Sequence, residues 1–175
     1  MKEFIPEGIV PKLGAVLILF YPKNNRIMTL LMRRPDYDGT HAGQISFPGG
    51  KFEEADADLS RTAIRETQEE TGTDGSGIEV IGKLTDLYIP PSNFHVHPFV
   101  GCASQALTFS PDPAEVAELF EIDIAELLDK NSVKTMPRFN KTLNKEVDTP
   151  YFEIRGNVVW GATAMMIAEL REILK

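Results

Sequence analysis

An α+β sandwich, with helices packed on a mixed β-sheet, is the fold class predicted by this chain of 175 residues. Three observations predict it. Short apolar runs rich in β-branched residues recur along the chain, bounded by Gly, Pro or Asn. Two longer segments carry helical periodicity, one over residues 57–71 and one at the C-terminus. The length suits a single domain with a real core, spanning 1–175, and no internal repeat or low-complexity linker divides it.

The elements follow in order. "GAVLILFY" (14–21) reads as a buried strand ended by Pro22 and "KNNR", and "RIMTLLMRR" (26–34) as its hairpin partner. "PDYDGTHAG" (35–43) is loop, and "QISFPGGKF" (44–52) a short strand entering a Gly-Gly turn. In the helix over 57–71, Ala57, Leu59, Ala63 and Ile64 form the apolar stripe. Asp56 or Asp58 can cap its start and Gly72 ends it. "GIEVIGKLTDLYI" (77–89) reads as one strand and "FHVHPFVGCA" (94–103) as another. Residues 112–130 are ambiguous: "AELFEIDI" alternates like a strand, "IAELLDK" looks helical. "YFEIRGNVVW" (151–160) reads as a hairpin around Gly156-Asn157, with Trp160 in the core at the start of the C-terminal helix.

The totals exclude some functions. A net charge of -8 and a pI near 4.9 oppose broad binding to nucleic acid or anionic membrane, which want Lys/Arg patches. A phosphate-bearing small substrate stays open, because a bound divalent metal reverses the local field. The single cysteine, Cys102, lies in an apolar run, reads as a small core residue, and excludes an intramolecular disulfide framework. That usage fits a reducing compartment, the cytoplasm. The N-terminus does not read as a signal peptide, and the longest apolar run is too short to span a bilayer.

The chemistry concentrates in "RETQEETG", residues 65–72. Glu66, Glu69 and Glu70 share one side of a helix, where like charges repel by a few tenths of a kcal/mol per pair. Hard oxygens at i, i+3 and i+4 suit Mg²⁺ or Mn²⁺, which would offset the repulsion. The plain alternative is a solvated acidic face with Arg65 pairing to Glu69. Upstream, "FPGGK" supplies two glycines that permit a tight turn or close backbone approach to a phosphate. The string Arg-Glu-x-x-Glu-Glu-x-Gly would match by chance roughly once in a million starting points.

With its upstream glycines, this segment resembles the Nudix box, G-x5-E-x7-R-E-U-x-E-E-x-G-U. The resemblance implies the Nudix fold, a mixed sheet sandwiched between α-helices, with the box in a loop–helix–loop at about 49–73. It implies hydrolysis of a nucleoside diphosphate linked to another group, dependent on Mg²⁺ or Mn²⁺. Glu66 and Glu70 would be the primary metal ligands, Glu69 a further ligand or the base, and Arg65 would orient a glutamate. The match has departures. Arg65 comes one residue late relative to Gly50, Asp56 holds the first Glu position, and Thr67 and Thr73 hold aliphatic positions. The insertion argues against a role for Asp56.

The longer spacing is similar to that of the coenzyme A pyrophosphatase branch, whose upstream signature is roughly L-[LIVM]-T-x-R-[SA]-x3-R-x3-G-x3-F-P-G-G. Leu30-Leu31, Arg34, Gly43 and Phe47-Pro48-Gly49-Gly50 match it; Met32, Pro35 and Gly39 do not. Gly39 stands where an arginine would contact a phosphate, and His41, Lys51, Arg33 or Arg34 could substitute. The implied substrate is coenzyme A, bound through Arg34, His41, Gly49, Gly50 and Lys51, with no nucleic-acid or membrane partner and room for a homodimer. Glu115 sits where a further carboxylate enters from a facing loop, as ligand or base, with Glu118 the alternate. His95 and His97 share a strand face and read as packing, substrate contact or a paired metal site. Two other readings remain: a Nudix hydrolase of another nucleoside diphosphate derivative such as ADP-ribose, and a Nudix module that binds without catalysis. The intact glutamate set argues against the last.

Overall fold

Residues 12–23 bury both faces of one long strand, and the rest of the molecule is arranged about it. The computed structural model describes residues 5–36, 41–140 and 144–175. The long strand is β1 (Lys12–Lys23), followed by β2 (Arg26–Arg33), β3 (Ile45–Ser46), β4 (Gly49–Lys51) and α1 (Leu59–Thr71). Next come β5 (Ile78–Lys83), β6 (Leu87–Ile89), β7 (Phe94–Ala103), β8 (Glu118–Asp123) and α2 (Ile124–Leu128). The chain closes with β9 (Val133–Asn140), β10 (Lys145–Ile154), β11 (Asn157–Val159) and α3 (Gly161–Ile173).

β1 runs parallel to β7, from Lys12↔Phe94 to Phe20↔Cys102, and antiparallel to β4 and β2. β5 and β6 extend the sheet beyond β7, while β3 and β8 pair with β2. The result is an 8-stranded mixed sheet, beside a 3-stranded antiparallel sheet of β9, β10 and β11. Side chains alternate across β1. Ala15, Leu17, Leu19 and Tyr21 pack with Ala63 and Ile64 of α1. Ile18 faces the other way, in a core with Val96, Val100, Leu127 of α2, and Ile167 and Leu170 of α3. Helices therefore cover both faces of the sheet, the α/β/α arrangement expected. Each fully buried aliphatic side chain contributes about 1.5–3 kcal/mol by leaving water.

The box helix is well delimited. The Asp58 side chain accepts from the Arg61 N–H at 3.0 Å, and Gly72, at φ 66°, returns its N–H to the Gln68 carbonyl at 2.8 Å. The threonines at apolar positions of α1 are satisfied within it: Thr67 Oγ1 donates to the Ala63 carbonyl at 2.7 Å and Thr71 Oγ1 to Thr67 at 2.6 Å.

Several boundaries differ from expectation. Residues 44–52 form two strands, because Pro48 lacks an N–H and the chain turns at Gly49 to leave β2 for β1. The single strand expected over 77–89 is two, with a register shift between Val80 and Gly82 and a break at residues 84–86. Residues 112–130 satisfy both expectations, β8 running directly into α2. β9 and most of β10 were not anticipated. Trp160 is half-buried, its ring covered at 3.3 Å by the Arg138 guanidinium. Cys102 is half-buried and unpaired. Among the described residues no helix is long and apolar enough to cross a membrane.

Candidate metal centre

The site is assembled where α1 crosses β4. Gly49, at φ 149°, lies so close to β1 that a Cβ would strike the Ala15 carbonyl and Val16 Cα. Its N–H donates to Glu70 Oε2 at 2.8 Å. A Cβ on Gly50 would collide with the Glu66 carboxylate. The two glycines thus let the helix carboxylates lie directly on the strand backbone.

Glu70 is 2% exposed. Burial, partly opposed by Arg34 and the Gly49 N–H and reinforced by Glu66 and Glu115, pushes its carboxyl up to about 8. Glu66 is also raised, first by burial, with Arg65 opposing and Glu69 and Glu115 adding. Two carboxyls under this strain form an incomplete electrostatic unit. Arg34 is the nearest fixed cation to Glu70, at 3.6 Å, and its Nη2 donates to the Gly49 carbonyl at 3.0 Å. The remaining deficit of positive charge, met by an all-oxygen donor set, fits a hard divalent cation such as Mg²⁺ or Mn²⁺.

Arg65 organises the outer side of the helix. Its Nη1 lies 3.0 Å from Glu66 and donates to Glu69 at 2.8 Å. Its Nη2 donates to the Lys51 carbonyl at 3.0 Å. Part of the glutamate repulsion is therefore offset by this guanidinium, without a metal. Glu69, with a side chain 55% exposed, points outward.

Asp56 corrects one expectation. Despite the one-residue insertion, its carboxylate receives Arg65 Nε at 2.9 Å and Nη2 at 3.1 Å, and Thr62 Oγ1 at 2.8 Å. The Arg65 fork holds this carboxyl well below the ordinary range, and Asp56 in turn holds Arg65 above its own. The extra residue is absorbed in the turn before α1, so Asp56 anchors the arginine that steadies Glu66 and Glu69.

The loop after β7 returns to the end of α1. The Ser110 N–H donates to the Thr71 carbonyl at 2.8 Å and the Asp112 N–H to the Glu70 backbone carbonyl at 3.1 Å. This brings Glu115 near enough for its charge to raise both Glu66 and Glu70. Glu118, the alternate, is engaged by Arg33 at 3.3 Å. Lys51 is exposed on β4 beside Gly50. His41 Nδ1 lies 3.1 Å from Gln44 Oε1. Gly39 lies outside the described residues. Phe94 is half-buried against the core. His97 is buried on the α1 side of β7, and burial first, then the neighbouring cations, lowers it despite Asp86.

Residues 11–143 match the model of the NUDIX domain. The chain is 37% identical over 143 residues to "Uncharacterized Nudix hydrolase NudL" of Yersinia pestis, covering 82% of this chain and 70% of that protein. Among solved structures it resembles RenU, a Nudix hydrolase from M. smegmatis, with TM-score 0.63 and 15% identity over 94% of this chain and 86% of that one. It also resembles the NUDIX domain of Shewanella oneidensis NrtR complexed with ADP ribose, with TM-score 0.59 and 17% identity over 98% and 94%. The last two likenesses are at the level of fold. The matched domain, the curated relative and the glutamate-bearing loop–helix–loop together place the chain in the Nudix hydrolase family.

Proposed function

We propose that the protein hydrolyses the diphosphate of coenzyme A or its derivatives, giving 3′,5′-ADP and 4′-phosphopantetheine. The observation that carries this reading is the position of Arg34. The signature residues upstream of the box bring this arginine within 3.6 Å of Glu70, while Gly49 and Gly50 bring the same stretch onto Glu70 and Glu66. The closeness of Arg34 to these carboxylates supports a single site that joins the upstream motif to the glutamates.

Glu66 and Glu70 would hold the metal, with Glu115 facing them. When bound, Mg²⁺ or Mn²⁺ supplies charge neutralisation of the diphosphate and a water of lowered pKa. Arg34 and Lys51 supply positive charge for phosphate oxygens, and Arg65 fixes Glu66 and Glu69 in place. Glu69 or Glu115 accepts the proton of the attacking water. Water adds to one phosphorus as its bond to the bridging oxygen breaks, so that one phosphate of the diphosphate stays with each product. The unpaired Cys102 agrees with a reducing, cytoplasmic setting for such a substrate.

The absence of arginine at Gly39 favours a second reading, another ADP-containing diphosphate such as ADP-ribose. The two are separated by incubating the protein with coenzyme A and with ADP-ribose, with and without Mg²⁺ or Mn²⁺, and identifying products by mass. Metal-dependent 3′,5′-ADP and phosphopantetheine would support the first reading. Turnover of ADP-ribose alone would replace it with the second.

A further inference from the structure

Across β1 from the glutamates lies a second group of ligating side chains. His97 and Gly50 pair with the same β1 residue, Ala15, from opposite sides. At ordinary strand spacing that separates their backbones by roughly 10 Å. His95 and His97 share one face of β7, with ring centroids 4.4 Å apart and planes inclined at 58°. The chain between β5 and β6 folds back over them: the Leu84 N–H donates to the Pro98 carbonyl at 2.9 Å, and Leu87 pairs with Val96. This turn delivers Asp86. One ligand atom each from Asp86, His95 and His97 lie within 4.8 Å of one another.

The group already draws in a cation. Lys83 Nζ sits 2.7 Å from Asp86 Oδ1 and 2.8 Å from Oδ2, and 3.1 Å from His97 Nδ1. A surface Lys–Asp pair needs neither histidine. The Lys83 side chain is 40% exposed and can swing to solvent. His97 is only 8% exposed, and its Nε2 is buried without a hydrogen-bond partner. An unpaired buried imidazole nitrogen costs about 1–3 kcal/mol unless something meets it.

We propose that Asp86, His95 and His97 form a second metal site, distinct from the glutamate centre, that takes Zn²⁺ or a similar transition-metal ion. Two imidazoles and one carboxylate are a borderline donor set suited to zinc, with water in the fourth position, whereas the glutamates suit Mg²⁺. The Lys83 ammonium neutralises Asp86 on the Nδ1 side of His97 when no metal does, and leaves His97 Nε2 unmet. A bound ion would pin the break between β5 and β6 to β7.

The test uses Co²⁺ as a spectroscopic probe on the full chain, with Zn²⁺ as competitor. Wild-type protein should bind one equivalent of Co²⁺ with the intense visible absorption of a four-coordinate, nitrogen-ligated site, and Zn²⁺ should abolish it. The absorption should persist in the Glu66→Gln/Glu70→Gln double variant. It should weaken in His95→Gln and in Asp86→Asn by more than the ~10- to 100-fold in affinity that loss of an outer-shell partner costs. Lys83→Met should bind more tightly than wild type. Two substitutions at partly exposed positions guard against one failing to fold, which circular dichroism reports. The proposal is overturned if neither wild type nor Lys83→Met shows the absorption. It is equally overturned if His95→Gln and Asp86→Asn retain it, or if it disappears with the glutamates instead.

Discussion

Replacing Glu70 by Gln should stabilise the metal-free protein at high pH and abolish its activity. The carboxyl titrates near 8 in the folded chain against an ordinary 4.5. That difference corresponds to roughly 5 kcal/mol of differential interaction, with the protonated form favoured by folding. A raised carboxyl contributes its stability below the unfolded value, and loses it as pH rises from about 4.5 to about 8. At pH 5 Glu70 is protonated, and a neutral amide of the same shape should change little. At pH 9 the wild type must bury a charge that the variant does not carry. Glu66 is raised by burial as well and its charge adds to the effect on Glu70, so the variant should gain on the order of 2–5 kcal/mol at pH 9. Urea denaturation in EDTA at pH 5 and pH 9 measures this, provided the m-value is unchanged. A stability difference independent of pH, or a variant less stable than wild type at pH 9, would refute the reasoning. Added Mg²⁺ should stabilise only the wild type.

Gly50→Ala should push the Glu66 carboxylate off β4, lowering kcat/KM about 100-fold, the scale of a 1 Å misplacement, with a smaller effect on Tm. Asp56→Ala should cost about 1–3 kcal/mol in urea denaturation by removing the two-pronged, nearly buried acceptor of Arg65, which keeps its contacts to Glu66 and Glu69. In the wild type the Asp56 contribution is full above its ordinary 3.8 and is lost only as pH falls below that toward its lowered folded value. Glu115→Gln should lower kcat at least ~10-fold and alter its pH profile, whereas Glu118→Gln, which loses only an exposed pair with Arg33, should leave kcat within about twofold.

Much of this architecture was legible because periodicity and burial coincide. Leu17, Ile18 and Leu19 are all buried, so β1 reads as a continuous apolar run. The C-terminal helix puts Ile167 and Leu170 into the core at helical spacing. β9 and β10 were illegible for the opposite reason. Lys134, Thr135, Pro137, Glu146 and Pro150 are exposed or nearly so, and Pro137 and Pro150 sit in strands that read as loop. The break after β5 depends on Asp86 finding Lys83 and His97, contacts that no local pattern encodes. The glutamates were legible as a set, because three repelling acids on one helix side require an explanation. Asp56 was not, since spacing registers an insertion while space registers only whether a carboxylate reaches the arginine. The glycines were readable as turn formers, but that Gly50 is kept small by Glu66 follows only from the fold.

The most direct test of the central claim is calorimetric titration of Mg²⁺ into the protein near pH 7, repeated in buffers of different ionisation enthalpy. If Glu66 and Glu70 are raised by burial and hold the metal, binding must release a proton from the wild type, and neither binding nor release should survive in Glu70→Gln. Mg²⁺ binding without proton release, or binding undiminished in Glu70→Gln, would contradict the account.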